Sequence, residues 1–520
     1  MGGRRFRFGP HPQAGWMLGL RGSQWMGVAV AGLAALALLR TGGAVSIVLV
    51  LVDFALAVLL VGVRFAGHTV VEWVPVAVAF GGTRWMGADR WRSDQGRAGH
   101  LIRLSAAAGI DPQPVQAAVS LPGELADIEL LETTLGRFGG VPLGVAYDKR
   151  SSTYTAVIRC EARAFFLLGP EEQEALLAAY GSLLAQLSVD GSAIRRIAWY
   201  ERTLPPGSDE LVQYLHEHRR SDISDDDRGL RATWQLLSAQ GHGATDHEVL
   251  LAAQIDARRL VARRRIEQLG GGRDGALALV GDQISTLVDE LTRIGVQGAG
   301  PVGARNPAVP SVRGLAAILR NGVDPFGRQE RQRGEHAGMD GIAPESFGPR
   351  ARETSWSYVR ADGALHMTGH LLEWPKHDVR ATFMQDLLMG RGAQGTRTVA
   401  MVMDVMGPAS ATRRAERASE EANAEGWLRR RIGKRTTARD RQREGFVSER
   451  EHELASGHAL VQFAGFVTVS VPVEHGLSEL QAQFAGIQAR ALAAGLRLEP
   501  MHGEQQEALT YSLPLCRGLA

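Results

Sequence analysis

The side chains in this sequence that could do chemistry come as fragments of familiar patterns. Arg431 to Thr437 reads RIGKRTT, close to a phosphate-cradling loop. Such a loop needs an earlier glycine five positions before the second one and a Ser or Thr directly after the lysine, so that backbone N–H groups and the ammonium surround the phosphates. Leu428 stands where the first glycine belongs and Arg435 follows Lys434, so the stretch reads instead as part of a charged helix. Gly298, Gly300 and Gly303 spell GxGxxG, but Pro307 and Pro310 follow where a dinucleotide site needs a helix opening onto the pyrophosphate, which makes the stretch a loop. His452-Glu453 begins a zinc-protease pattern, yet Ser456 takes the second ligand position and His458 lies off the i, i+4 spacing. No Gly-x-Ser-x-Gly elbow is present. Cys160 sits in a strand pattern, where a core thiol is expected rather than a nucleophile.

An enzyme built from scattered groups would draw on His366, His370, Glu373, His458 and His475. His366 and His370 are four apart, which pairs them on a helix, but their surroundings read as a strand, where they lie roughly 13 Å apart. No catalytic, cofactor or metal residue is assigned on this reading.

The elements that would position any site are bounded by composition. The chain has 520 residues, 45% of them hydrophobic, which allows roughly two to four folded domains. A formal net charge of +2 carries no general argument for nucleic acid. Lysine occurs only at Lys149, Lys376 and Lys434, so arginine-rich stretches reflect a general bias. Two cysteines, Cys160 and Cys516, make neither a disulfide framework nor a Cys-based zinc site and suit a reducing compartment.

Two apolar runs near the N-terminus predict a transmembrane helical hairpin, with spans at about 25–41 and 45–64 joined by a turn too short for anything else. Arginines on both sides place both termini in the cytoplasm and the protein in the cell membrane as a multi-pass component. Asp53 falls inside the second span. A carboxylate there costs a few kcal/mol, so it is expected to face protein, as a polar contact to another helix or simply satisfied by a nearby hydroxyl or interfacial water. Residues 67–110, basic and rich in tryptophan, read as a juxtamembrane connector.

The remainder reads as α+β: two related units with antiparallel sheets and helices on one face, over residues 111–297 and 353–520. A Gly/Pro-rich connector, 298–352, joins them, with SVRGLAAILRNG as its one helical piece. A charged helical arm is expected over 410–454. It carries Arg429, Arg430, Arg431, Lys434 and Arg435 but interleaves them with Glu416, Glu420, Glu421, Glu425, Asp440 and Glu444. A nucleic-acid stripe is one-sided. This alternation suits a solvated helical hairpin or a partner-docking arm, so direct nucleic-acid contact is not expected.

The order of features resembles two known parts. The N-terminal hairpin followed by VVEWVP and a basic stretch is similar to PrgI-type membrane components of Gram-positive conjugation machines. The segments YDKRSSTYTAVIRCEARAFFLLGPEEQEALLAAYGSLLAQL, IAWYERTLP, ETSWSYVRADGALHMTGHLLEWP and GEQQEALTYSLPL resemble the non-motor N-terminal region of VirB-family conjugation ATPases. Together they look like an actinobacterial integral membrane family of conjugative type IV secretion loci. That resemblance implies a membrane-anchored, non-catalytic scaffold without cofactor, assembled with sister secretion subunits and a separate P-loop ATPase that supplies the motor. A core membrane subunit of a type VII secretion system has a similar outline and is the alternative.

Overall fold

The computed structural model describes residues 8, 22–40, 44–62, 64–65, 68–93, 121–161, 165–189, 191–204, 227–229, 231–232, 246–298, 308–327, 344, 347–389, 396–431, 445, 452 and 459–519. Helices α1 (Gly22–Arg40) and α2 (Ala44–Gly62) pack on each other, and a two-strand turn, β1 (Arg64–Phe65) and β2 (His68–Thr69), leads into α3 (Val70–Trp85). The Thr69 N–H donates to Glu72 Oε2 at 2.8 Å, closing the start of α3. Strand β3 (Arg90–Arg92) follows.

The first half then runs β4 (Ile128–Leu135), β5 (Val141–Asp148), β6 (Thr153–Glu161), α4 (Pro170–Ser188), β7 (Ile194–Leu204), β8 (Asp246–Asp256), α5 (Leu260–Gln268), α6 (Gly272–Arg293) and β9 (Gln297–Gly298). Helix α7 (Val312–Val323) links it to the second half, which runs β10 (Ala351–Thr354), β11 (Val359–Ala361), β12 (Ala364–Glu373), α8 (Gln385–Met389), β13 (Thr396–Val405), α9 (Pro408–Arg431), β14 (Val461–Pro472), α10 (Gly476–Ala493), β15 (Arg497–Pro500) and α11 (Gln505–Tyr511). Pro170 at the first turn of α4, with Glu171 and Glu172 beside it, starts that helix as the sequence predicts.

Thirteen of the strands form one antiparallel sheet in the order β3-β10-β11-β12-β14-β13-β7-β8-β6-β5-β4, with β15 on the same edge of β12 as β11, and β9 on the same edge of β6 as β5. The two halves therefore repeat one arrangement. In each, a hairpin (β5-β6 or β11-β12), a helix, an inner strand (β7 or β13), a long crossing, a return strand (β8 or β14), a helix and a short strand occupy matching places. The halves meet where β7 and β13 pair antiparallel, from Arg196 opposite Asp404 to Thr203 opposite Arg397. The expectation of α+β with antiparallel strands agrees with this, but among the described residues the two halves share one sheet rather than having one each. The inner strand of each half has an open edge, and the two edges satisfy each other's backbone groups.

Both faces of the sheet are covered, where helices on one face were expected. One face carries α5 and α6 against Leu143, Ile158, Ile197 and Leu251 in the first half, and α10 against Met367, Leu371, Val467 and Val469 in the second. The opposite face is shared by both halves and is filled by α7 and the closing segment 505–519. Leu315, Ala316, Ile318 and Leu319 of α7 are fully buried there. At about 1.5–3 kcal/mol per large aliphatic side chain, this makes the helical piece of the connector a core element.

The transmembrane hairpin is not borne out. Among the described residues no helix is long and apolar enough to cross a membrane. The multi-pass cell-membrane placement that followed from the hairpin is withdrawn with it. The expected juxtamembrane connector has a different contact: α3 lies on the second half, with the rings of Trp73 and Phe80 5.7 and 5.2 Å from that of Trp356. Gly503 permits this approach, because a Cβ there would lie 2.6 Å from Val76 Cγ1.

Candidate functional site

A group of paired charged side chains lies along the seam where the halves meet. Along β7 successive residues face opposite sides of the sheet, so Glu201 and Thr203 lie on one face and Tyr200 and Arg202 on the other. Arg202 is 1% exposed; its Nη1 lies 3.1 Å from Glu248 Oε2 on β8 and donates to the Ile318 carbonyl of α7 at 3.2 Å. Arg159 of β6 approaches the other oxygen of Glu248 at 3.7 Å. Gly322 of α7 leaves room for the guanidinium, since a Cβ there would lie 3.0 Å from Arg202 Nη2.

On the opposite face Glu201 Oε1 lies 2.6 Å from His247 Nδ1 and accepts from Thr203 Oγ1 at 3.2 Å. Arg397 of β13 reaches across the seam, donating to Thr203 Oγ1 at 3.0 Å with the same nitrogen 3.5 Å from Glu201 Oε2. Burial lowers the pKa of Arg397, and the neighbouring Glu201 carboxylate opposes that shift. The other end of the seam is pinned by Asp404 of β13, 3.3 Å from Arg195 and 3.5 Å from Arg196, while Arg195 also meets Asp256 at 2.8 Å. Ion pairs thus bracket both ends of the β7–β13 contact. Their charges are matched within the fold, which suits fixing one register between the halves.

The closing segment crosses the seam. Tyr200 Oη accepts from the Cys516 N–H at 3.1 Å, Gln254 donates to the Leu515 carbonyl at 3.2 Å, and Arg517 binds Asp148 Oδ2 at 2.7 Å. Residue Cys516 adopts a left-handed backbone with φ 53°, held by these contacts.

The histidines of the scattered-enzyme reading do not converge. His366 is buried on β12, with Nδ1 2.7 Å from Ser470 Oγ and Nε2 2.9 Å from the Val323 carbonyl. The carbonyl can only accept, so Nε2 carries the proton and Ser470 donates to Nδ1. Burial pushes the pKa of His366 down to about 4. His370 stacks on Phe466 at 5.0 Å, Glu373 pairs with Lys376 and Arg497, and His475 lies in the turn before α10. His458 lies outside the described residues. Cys160 and Cys516 are both buried, and desolvation raises each thiol to about 12. Among the described residues no group of three His, Cys, Asp or Glu side chains could hold a metal ion.

Asp53 is half-buried within α2. Arg429, Arg430 and Arg431 form the last turn of α9, and Lys434 and Arg435 lie outside the described residues. The start of α9 is anchored: Ala411 and Ala415 are buried, and Arg414 donates to Gln462 at 3.0 Å. A shallow groove of about 530 Å³ between β4 and α6 is lined by Glu132, Arg137, Asp274 and Asp282. Arg137 already bonds Asp282 at 3.2 Å, and the hydroxyl of Ser285 donates to the Gly281 carbonyl at 2.7 Å.

Sequence reasoning missed the seam. Arg195, Arg196, Glu201 and Arg202 stand as two adjacent pairs, which a strand divides between its two faces, so no local alternation marks either face of β7 as the buried one. What buries them is β13, about 200 residues later in the chain, together with α7.

No protein-family model matches this chain, and no curated protein does. Neither the fold nor these comparisons support the assignment to conjugation or type IV secretion, which rests on sequence likeness alone.

Proposed function

We propose that the chain is a non-catalytic scaffold subunit that docks a separate P-loop ATPase and sister subunits of a multi-protein machine. The observation that carries this reading is the placing of the two long crossings. They leave the central strand pair after Leu204 and after Val405, and because β7 and β13 run antiparallel these exits are at opposite ends of the sheet. The second crossing contains α9 and its arginine-rich end, and the first, residues 205–245, is likewise charged. A sheet covered on both faces, with its two long connections leaving from opposite ends, suits holding two partners apart. The matched charges of the seam are engaged inside the fold, which fits a framework role better than proton transfer.

The ATPase to test first is the conjugation-type motor that the sequence likeness implies. Affinity capture of the full chain from its host is expected to recover a P-loop ATPase, and loss of Arg429, Arg430 and Arg431 together is expected to reduce that recovery at least tenfold. Nucleotide turnover by the purified chain alone would overturn the reading, as would capture that recovers no ATPase.

A further inference from the structure

Two segments of the first half meet at one corner with more cations than carboxylates. The β5–β6 turn, 148–153, and the stretch 256–268, which ends β8 and forms α5, together hold seven basic and three acidic side chains. The Ala257 N–H donates to the Ser152 carbonyl at 3.1 Å and Arg258 Nη2 to the Arg150 carbonyl at 2.5 Å, which joins the segments into one surface. All three carboxylates are engaged: Asp148 with Arg517 at 2.7 Å, Asp256 with Arg195 at 2.8 Å and Glu267 with Arg263 at 3.2 Å. Lys149 pairs with Glu129 at 3.3 Å. Among the described residues Arg150, Arg258, Arg259, Arg264 and Arg265 have no ion pair. The chain's general bias explains why these cations are arginines. It does not explain the missing carboxylates, since the whole chain carries 58 basic against 56 acidic residues.

The helix that bears most of them is an addition to the repeat. In the second half β14 passes through a short 3-10 turn, Val473–His475, into α10, whereas in the first half β8 reaches the matching α6 by way of α5. Ala262 and Ile266 are buried and hold α5 in place, and Gly275 lets α6 come close, since a Cβ there would lie 2.6 Å from the Ile266 carbonyl oxygen. The opposite side of α5 faces out. Leu260 is 61% exposed and stands four residues before the exposed Arg264, so the outer face presents an apolar and a cationic side chain together.

We propose that the α5 surface, centred on Arg258, Leu260 and Arg264, docks an acidic, leucine-bearing peptide segment of a partner protein. Guanidinium groups meet carboxylates in paired hydrogen bonds, and a surface with surplus positive charge selects a partner with surplus negative charge. Nucleic acid fits less well. Unstacked bases need a free aromatic face, but Tyr147 and Tyr154 of the adjoining hairpin stack on each other at 4.6 Å, and Arg273 Cζ lies 5.8 Å from the Tyr147 ring centre. A phosphate backbone is matched by charge alone and makes no use of Leu260. This inference is independent of the scaffold reading, because it uses neither of the two crossings.

The test uses the full-length chain and a labelled peptide of three Glu-Glu-Leu repeats, followed by fluorescence anisotropy. The native chain is expected to bind it, more weakly as salt rises. Arg258→Glu with Arg264→Glu is expected to weaken binding at least tenfold, and Arg264→Glu alone or Leu260→Ser at least threefold, each variant being shown to be folded by circular dichroism. Arg360→Glu with Arg380→Glu, which reverses two exposed arginines of the second half, is expected to leave binding within twofold. Absence of peptide binding, an equal loss in the second-half variant, or unchanged binding when the peptide leucines become serine would each overturn the proposal. So would tighter binding of an oligothymidine of the same length, which would make the surface a nucleic-acid site.

Discussion

Arg202 and Glu248 face each other across β7 and β8, 3.1 Å apart, with the Arg202 side chain 1% exposed and Glu248 17% exposed. The pair lies under α7, whose Ile318 carbonyl takes a further bond from the same guanidinium nitrogen. Among the described residues, Arg202→Ala would leave the Glu248 carboxylate with only its longer ion pair to Arg159, at 3.7 Å. Removing one partner of a buried pair costs about 3–5 kcal/mol. A fall of that size in unfolding free energy, read from urea denaturation, is expected. Arg202→Met with Glu248→Leu should recover most of it, whereas equal losses in the single and double variants would show that the pair is not what matters.

His366 couples stability to pH. Its pKa is about 4 in the folded chain and about 6.5 when exposed, so the unfolded chain binds more protons between those values. The contribution is fully present above pH 6.5 and is lost as pH falls toward 4, by up to about 3 kcal/mol. Urea midpoints measured between pH 7 and pH 4.5 are expected to fall less steeply for His366→Gln than for the native chain. Parallel curves would contradict the assignment.

Both thiols should be silent to an aromatic disulfide reagent. With each raised to about 12 from 9, the thiolate fraction at pH 8 drops on the order of a thousandfold. Neither Cys160 nor Cys516 is expected to react in the native chain, and both should react in 6 M guanidinium. Fast native labelling of either would mean that its surroundings open.

Gly144 on β5 lets α7 approach. A Cβ there would lie 2.7 Å from the Ser311 carbonyl oxygen and 3.0 Å from Leu315 Cβ, and the oxygen is backbone that cannot swing aside. Gly144→Ala is expected to destabilise the chain by about 1–3 kcal/mol, with Gly136→Ala, which meets open space, as the control. Thermal denaturation of the two variants checks this.

What the sequence made legible was local. The run TRTVAMVMDV reads as a strand and is one, and DGALALVGDQISTLVDELTRIG reads as a helix because its apolar residues recur at helical spacing. The matching order of elements in the two halves was also visible. Partners in space were not. Nothing near β7 says that β13 will pair with it, so the seam stayed hidden among apparently surface charges. Gly and Pro around α7 make it look like a helical patch in a linker, although its own pattern of Leu315, Ile318 and Leu319 is that of a core helix. The apolar runs at the N-terminus do mark two helices, but run length alone does not say what surrounds them.

The antiparallel meeting of β7 and β13 has the geometry of a two-fold dimer interface, written into a single polypeptide. Two separate chains joined this way would come apart on dilution, with an apparent stability that depends on protein concentration. Here the tether through α7 makes association first-order, so the unfolding midpoint is expected to be the same at nanomolar and micromolar chain. It also frees the halves from being alike: the crossings after Leu204 and Val405 differ in length without unmaking the joint.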